Sequence, residues 1–128
     1  MLFYMMEQGS PIPRGIIMKA KRLQQSAAHY ADQIEAEMHR IGLWQTEPLR
    51  PEQLDFTKAF AMDTMTFAQW LQFIFLIRVR EAIATNEFPS GSSVGAQAVR
   101  EFDGDHDADR LVTLLSEFDA LFESEEEL

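Results

Sequence analysis

The sequence predicts an all-α protein, a helical bundle of about four helices around one central apolar helix. Three observations predict it. From Phe67 to Ala84 the apolar residues Trp70, Leu71, Phe73, Ile74, Phe75, Leu76, Ile77 and Val79 fall on every side of a helical wheel, so other elements must wrap that segment. Two flanking segments carry apolar residues at intervals of three and four, the mark of amphipathic helices. No stretch of useful length alternates with period two, so no strand is expected.

Residues 1–17 read as a loose leader, because Gly9, Pro11, Pro13 and Gly15 interrupt any helical pattern, and Met18 is an alternative start. The first helix is expected from Lys19 to Ile41, with Leu23, Ala27, Tyr30, Ile34, Met38 and Ile41 as its apolar stripe and Gly42 as a left-handed stop. Leu43 and Trp44 are placed to fold back on the last turn. Pro48 and Pro51 keep residues 45–59 irregular, while Leu54, Phe56 and Phe60 tie that connection to the bundle.

Thr66-Phe67-Ala68-Gln69 fits a capping box, with Met65 and Trp70 as the hydrophobic staple on either side. The central helix then runs to about Ala84, before the sequence Asn86 to Ser93 stops it. Ser92 or Ser93 is positioned to cap a short third helix through Val94, Ala98 and Phe102, which Gly95 weakens. A turn at Asp103–Asp107 precedes the last helix, whose stripe is Leu111, Leu114, Leu115, Phe118, Leu121 and Phe122. The bundle therefore spans residues 18–122, and residues 123–128 form an acidic tail.

Composition narrows the functions open to the chain. There is no cysteine among 128 residues, which excludes disulfides and thiolate metal sites and fits a cytoplasmic setting. The formal charge is −10, and residues 101–128 hold eleven acids against one base. A nucleic-acid backbone demands clustered Lys and Arg, so direct nucleic-acid binding is not expected. The apolar run is broken by Gln69 and Gln72 and closed by Arg78 and Arg80, short of the ~20 residues of a membrane span. His29, His39 and His106 lack metal spacing, and the Asp103-Asp105-Asp107-Asp109 series has Ala108 where a calcium loop needs Gly. No cofactor, metal or catalytic residue is therefore expected.

The order Phe60-x-x-Asp63-Thr64-Met65, four residues, then Trp70-Leu71-Gln72-Phe73 and an apolar stretch ending at Arg78 resembles the YqcC-like family of small bacterial proteins. The likeness extends back to Leu43-Trp44 with Pro48 and forward to Phe118-Asp119-Ala120-Leu121-Phe122, covering roughly residues 20–122. It implies an all-α bundle in the cytoplasm. The gene of that family sits in some genomes beside one for a tRNA pseudouridine synthase, which implies a protein partner. Family members usually carry proline where this chain has Ile77, so a kink there is expected to be straightened.

The motif supplies the site residues to be followed: Trp44, Asp63, Thr64, Trp70, Gln72 and Arg78. Arg78 is expected to be partly buried and to pair with Glu81, Asp63 or a distant acid. Asp63 and Thr64 suit a turn held by side-chain to backbone bonds. The two tryptophans suit either the core or a stacked ligand, and Gln72, an amide among apolar neighbours, needs partners that would order the loop before it. The leading reading is a non-enzymatic protein-interaction module linked to an RNA-modifying enzyme, docking near residues 43–66 or through the first helix. The alternative is a small-ligand binding protein or enzyme with a pocket at Trp44, Asp63, Thr64, Trp70 and Arg78, and self-association as a homo-oligomer is a third.

Overall fold

The computed structural model describes residues 13–123 and is all-α, with no strand among them. Helix α1 spans Arg14–Arg40. It begins earlier than the pattern predicts, because Pro13, whose fixed φ suits the position before a first turn, accepts from the N–H groups of Ile16 and Ile17 at 3.0 and 3.2 Å. Residues 14–17 are thus helical rather than leader, with Ile16 and Ile17 exposed. The other end stops where expected. Gly42 takes φ 79°, its N–H donates to the His39 carbonyl (3.2 Å) and that of Leu43 to Met38 (2.8 Å), the paired bonds of a Schellman cap.

The central apolar segment is a continuous rod of three pieces: α2 (Phe67–Trp70), a π-helical turn (Leu71–Phe75) and α3 (Leu76–Thr85). The capping box forms as expected, with the Thr66 hydroxyl accepting from Gln69 N–H and the Gln69 side chain accepting from Thr66 N–H, both at 3.0 Å. Asn86, left-handed at φ 58°, ends the rod. The rod is not hidden on all sides. Leu71, Ile74, Phe75, Leu76 and Val79 are buried, but Phe73 is half-buried and Ile77 is 51% exposed. Ile77 lies in the first turn of α3, which continues through it.

Helices α4 (Val94–Glu101) and α5 (Asp109–Ala120) complete the bundle, with α5 packed on both α4 and α1, and α3 on α1. The residue that weakened the sequence case for α4 explains its position. A side chain at Gly95 would meet the Ser116 backbone at 2.6 Å from Cα, so only glycine permits this approach of α4 to α5. Neither Ser92 nor Ser93 caps α4. Asp119, from the end of α5, accepts from Val94 N–H (3.0 Å), Gly95 N–H (2.7 Å) and the Ser92 hydroxyl (2.5 Å). The acidic tail lies, beyond Glu123, outside the described residues.

One acid sits on the buried face of α1. Glu37 is 5% exposed, accepts from Arg40 Nε at 2.9 Å and lies 3.9 Å from Arg110 Nε on α5. The Arg40 hydrogen bond holds its carboxyl below the ordinary value against the opposing effect of burial. A carboxyl depressed in the folded state contributes stability above its unfolded pKa, and that contribution is lost as pH falls through the folded value. Glu37→Gln should therefore cost roughly 2 kcal/mol at neutral pH and flatten the fall of the melting temperature on acidification. A variant whose melting temperature falls as steeply as that of the unsubstituted chain would remove Glu37 from the acid sensitivity.

Candidate functional site

The segment between α1 and the rod contains two short 3-10 turns, Pro51–Leu54 and Ala59–Ala61, and is held by four glutamines. Gln72 is buried on the π turn. Its Oε1 accepts from Gln45 N–H at 3.0 Å and its Nε2 donates to the Gln45 carbonyl at 2.9 Å, so one side chain satisfies one loop residue's whole backbone. Gln69 Nε2 donates to Gln45 Oε1 (3.1 Å). Gln53 Nε2 donates to Gln69 Oε1 (3.3 Å) and to the Thr64 carbonyl (3.2 Å), while its own Oε1 accepts from Arg50 N–H (2.9 Å). Thr64 closes the network by donating its hydroxyl to the Gln53 carbonyl at 2.6 Å. Among the described residues no buried side-chain nitrogen or oxygen lacks a partner.

Asp63 lies at the far side of this loop. Its carboxylate accepts from Thr57 N–H and hydroxyl, both at 3.0 Å, and from Lys58 N–H at 3.3 Å. Donation from the Thr57 backbone holds the carboxyl below its ordinary value. Between these anchors the backbone is strained: Phe60 (φ 56°) and Ala61 (φ 51°) are both left-handed without being glycine. Phe60 is fixed by edge contacts to Trp70, with centroids 4.9 Å apart, and to Phe67 at 6.0 Å. The Ala61 carbonyl accepts from Thr64 N–H and Met65 N–H.

The six motif residues do not converge on one pocket. Trp44, stacked on His39 with centroids 4.7 Å apart, lines a shallow cleft with Gln72, Phe73, Leu76 and Ile77, rimmed by Glu35 and Arg80. Trp70 and Arg78 line a second cleft of about 300 Å³, closed by Phe75, Phe88, Phe118 and Phe122. Asp63 and Thr64 line neither; they are consumed in holding the loop. Arg78 also departs from expectation. It is exposed, and no acid pairs with it among the described residues; the ion pairs of the rod belong instead to Arg80, which binds Glu35 at 2.9 Å and Asp32 at 3.2 Å on α1.

Sequence reasoning missed three contributors. Glu37 stands three residues after Ile34 and four before Ile41, on the apolar stripe itself, a visible signal. Gln53 three residues after Arg50 fits a local capping bond, but the partners that tie Gln45 and Gln53 into the network are 27 and 11 residues away and leave no local signal. Among the described residues no helix is long and apolar enough to cross a membrane.

Comparison with known proteins adds one family and one relative. A family model with the description "DUF446: tRNA pseudouridine synthase C" matches residues 26–121. A protein of Haemophilus influenzae that carries the name "Uncharacterized protein" is 25% identical over 84 residues, which cover 62% of this chain and 79% of the relative. No solved structure matches the chain.

Proposed function

The chain belongs to the DUF446 family, and from that premise we propose that it is a non-enzymatic interaction module that works with a tRNA pseudouridine synthase, the enzyme in the family's description. The uncovered strip on the rod carries this reading. Ile77 at 51% exposure, with half-buried Phe73 and Trp44, leaves an apolar and aromatic patch beside the buried Ile74, Leu76 and Val79 of the rod. The Arg80–Glu35–Asp32 cluster borders it with charge. An aromatic centre with a polar rim is the anatomy of a protein interface. The strip also adjoins Gln72, which anchors the start of the loop and so keeps this surface in one shape.

A net charge of −10 opposes contact with a polyanion, so holding the RNA falls to the partner. A pair acting on tRNA is cytoplasmic. The YqcC-like identity is the narrower form of the same reading, with Asp63, Thr64 and Gln72 as residues that shape the docking surface.

The test is titration of the full chain into purified tRNA pseudouridine synthase from the same genome, read by calorimetry and by size-exclusion chromatography with light scattering. A stoichiometric complex is expected, and Ile77→Asp should weaken it at least ~10-fold by burying an unpaired charge at the interface, with the melting temperature of the module unchanged. Absence of a complex, or equal binding by Ile77→Asp, overturns the proposal. So does a chain that dimerises alone and becomes monomeric as Ile77→Asp, which assigns the strip to a second copy.

A further inference from the structure

The second cleft has a different chemistry from the docking strip and lies roughly opposite it around the rod, since within α3 Arg78, Val79 and Ala82 point away from the side of Ile77 and Arg80 at 100° per residue. Its walls are rings. Trp70 meets Phe75 with centroids 5.6 Å apart, Phe75 meets Phe118 edge-on at 5.3 Å, and Phe122 packs on both Phe118 (5.1 Å) and Phe88 (5.8 Å). Such walls favour a flat ring placed edge-on or offset between them. At about 300 Å³ the space is at the lower limit of small-ligand sites, enough for one ring and a short chain.

Polarity in this cleft is concentrated in one charge. Arg78 is its lining cation, and neither an acid nor a hydrogen-bond acceptor engages its guanidinium among the described residues. Asp119, the nearest acid to Ser92 on the cleft wall, spends its oxygens on Ser92, Val94 and Gly95. An apolar ring-lined space with one guanidinium that has no acid or acceptor among the described residues complements an apolar molecule with a single negative charge. The planar fork of arginine matches the two oxygens of a carboxylate.

We propose that this cleft binds a small ring-bearing monocarboxylate, with the ring between Trp70, Phe75, Phe88 and Phe118 and the carboxylate on Arg78. The site is independent of the enzyme-docking strip, so either assignment can fail while the other stands. The probes are 3-phenylpropionate and its uncharged counterpart 3-phenylpropionamide, titrated into the full chain and followed by ligand-observed NMR. The acid should bind about 10-fold tighter than the amide, the worth of a charge-assisted bond. Arg78→Gln, at an exposed position, should erase that preference and leave amide affinity in place. Ala82→Phe, which fills the cleft from a half-buried helix position, should abolish both while circular dichroism stays that of the unsubstituted chain. Equal affinity for acid and amide, no binding of either, a preference that survives Arg78→Gln, or undiminished binding by folded Ala82→Phe each overturns the assignment.

Discussion

Replacing Gly95 with alanine is expected to lower stability by about 2 kcal/mol, although alanine is the better helix former. The added methyl carbon would stand 2.6 Å from Ser116 Cα, 2.7 Å from its Oγ and 2.8 Å from its nitrogen. Two of those atoms are backbone and cannot rotate away. Relief therefore requires α4 and α5 to separate, and these two helices share the most extensive helix contact of the bundle. Overpacking of this kind costs roughly 1–3 kcal/mol, occasionally more, while the gain in helix propensity is ~1 kcal/mol. Separation also lengthens the bond from Gly95 N–H to Asp119, now 2.7 Å. For a chain of this size the melting temperature should fall by roughly 8 °C. Ser116→Ala in the same chain removes only the Oγ contact, so rescue should be partial. A Gly95→Ala chain that melts higher than the original would mean that propensity alone governs the site.

The parts of the fold readable in sequence are those set by neighbours in the chain. Gly42 after the Ile41 stripe, Thr66 with Gln69, and the spacing of Leu111, Leu114, Leu115 and Phe118 each act within one or two helical turns, and the structure has each of them. What escaped was set by distance or by phase. The π turn Leu71–Phe75 changes the angular step along the rod, as shown by the Leu76 N–H donating to the Leu71 carbonyl five residues back. An all-round apolar sequence cannot reveal that step, because every phase reads equally well. The consequence falls on Arg78. A regular helix groups it with Leu71 and Ile74, both buried, yet after the π turn it is exposed in the cleft that Trp70 lines, with no acid paired to it among the described residues.

The candidate site was legible as a set of residues but not as a division of labour. Asp63, Thr64 and Gln72 were readable as residues that need partners, and the structure supplies them across 5 to 27 positions of sequence. Trp44 and Trp70 were indistinguishable in composition, yet they line separate clefts because α1's Schellman turn carries Trp44 back onto His39 while the rod carries Trp70 toward Phe75. Long-range placement of this sort leaves no trace in a single sequence.

Asp119 tests the same point with the larger expected loss. Helix α4 is eight residues long, too short to hold its own first turn. Val94 and Gly95 are both buried, so their N–H groups depend on the Asp119 carboxylate rather than on water. Negative charge there also opposes the positive end of the α4 dipole. Asp119→Ala leaves two buried donors unmet and should cost roughly 3 kcal/mol, with amide exchange across α4 accelerating before that of α1. Asp119→Asn keeps one acceptor but turns an NH₂ toward a second donor, so it should fall between alanine and the native acid. Ser92→Ala removes a donor that can otherwise reach water and should cost at most ~1 kcal/mol. An order in which asparagine equals aspartate, or alanine costs no more than Ser92→Ala, would show that the two amides are satisfied without the charge. Because Gly91 and Ser92 form one wall of the ring-lined cleft, the Asp119→Ala chain should also lose affinity for 3-phenylpropionate and its amide alike, unlike Arg78→Gln, which alters only their ratio.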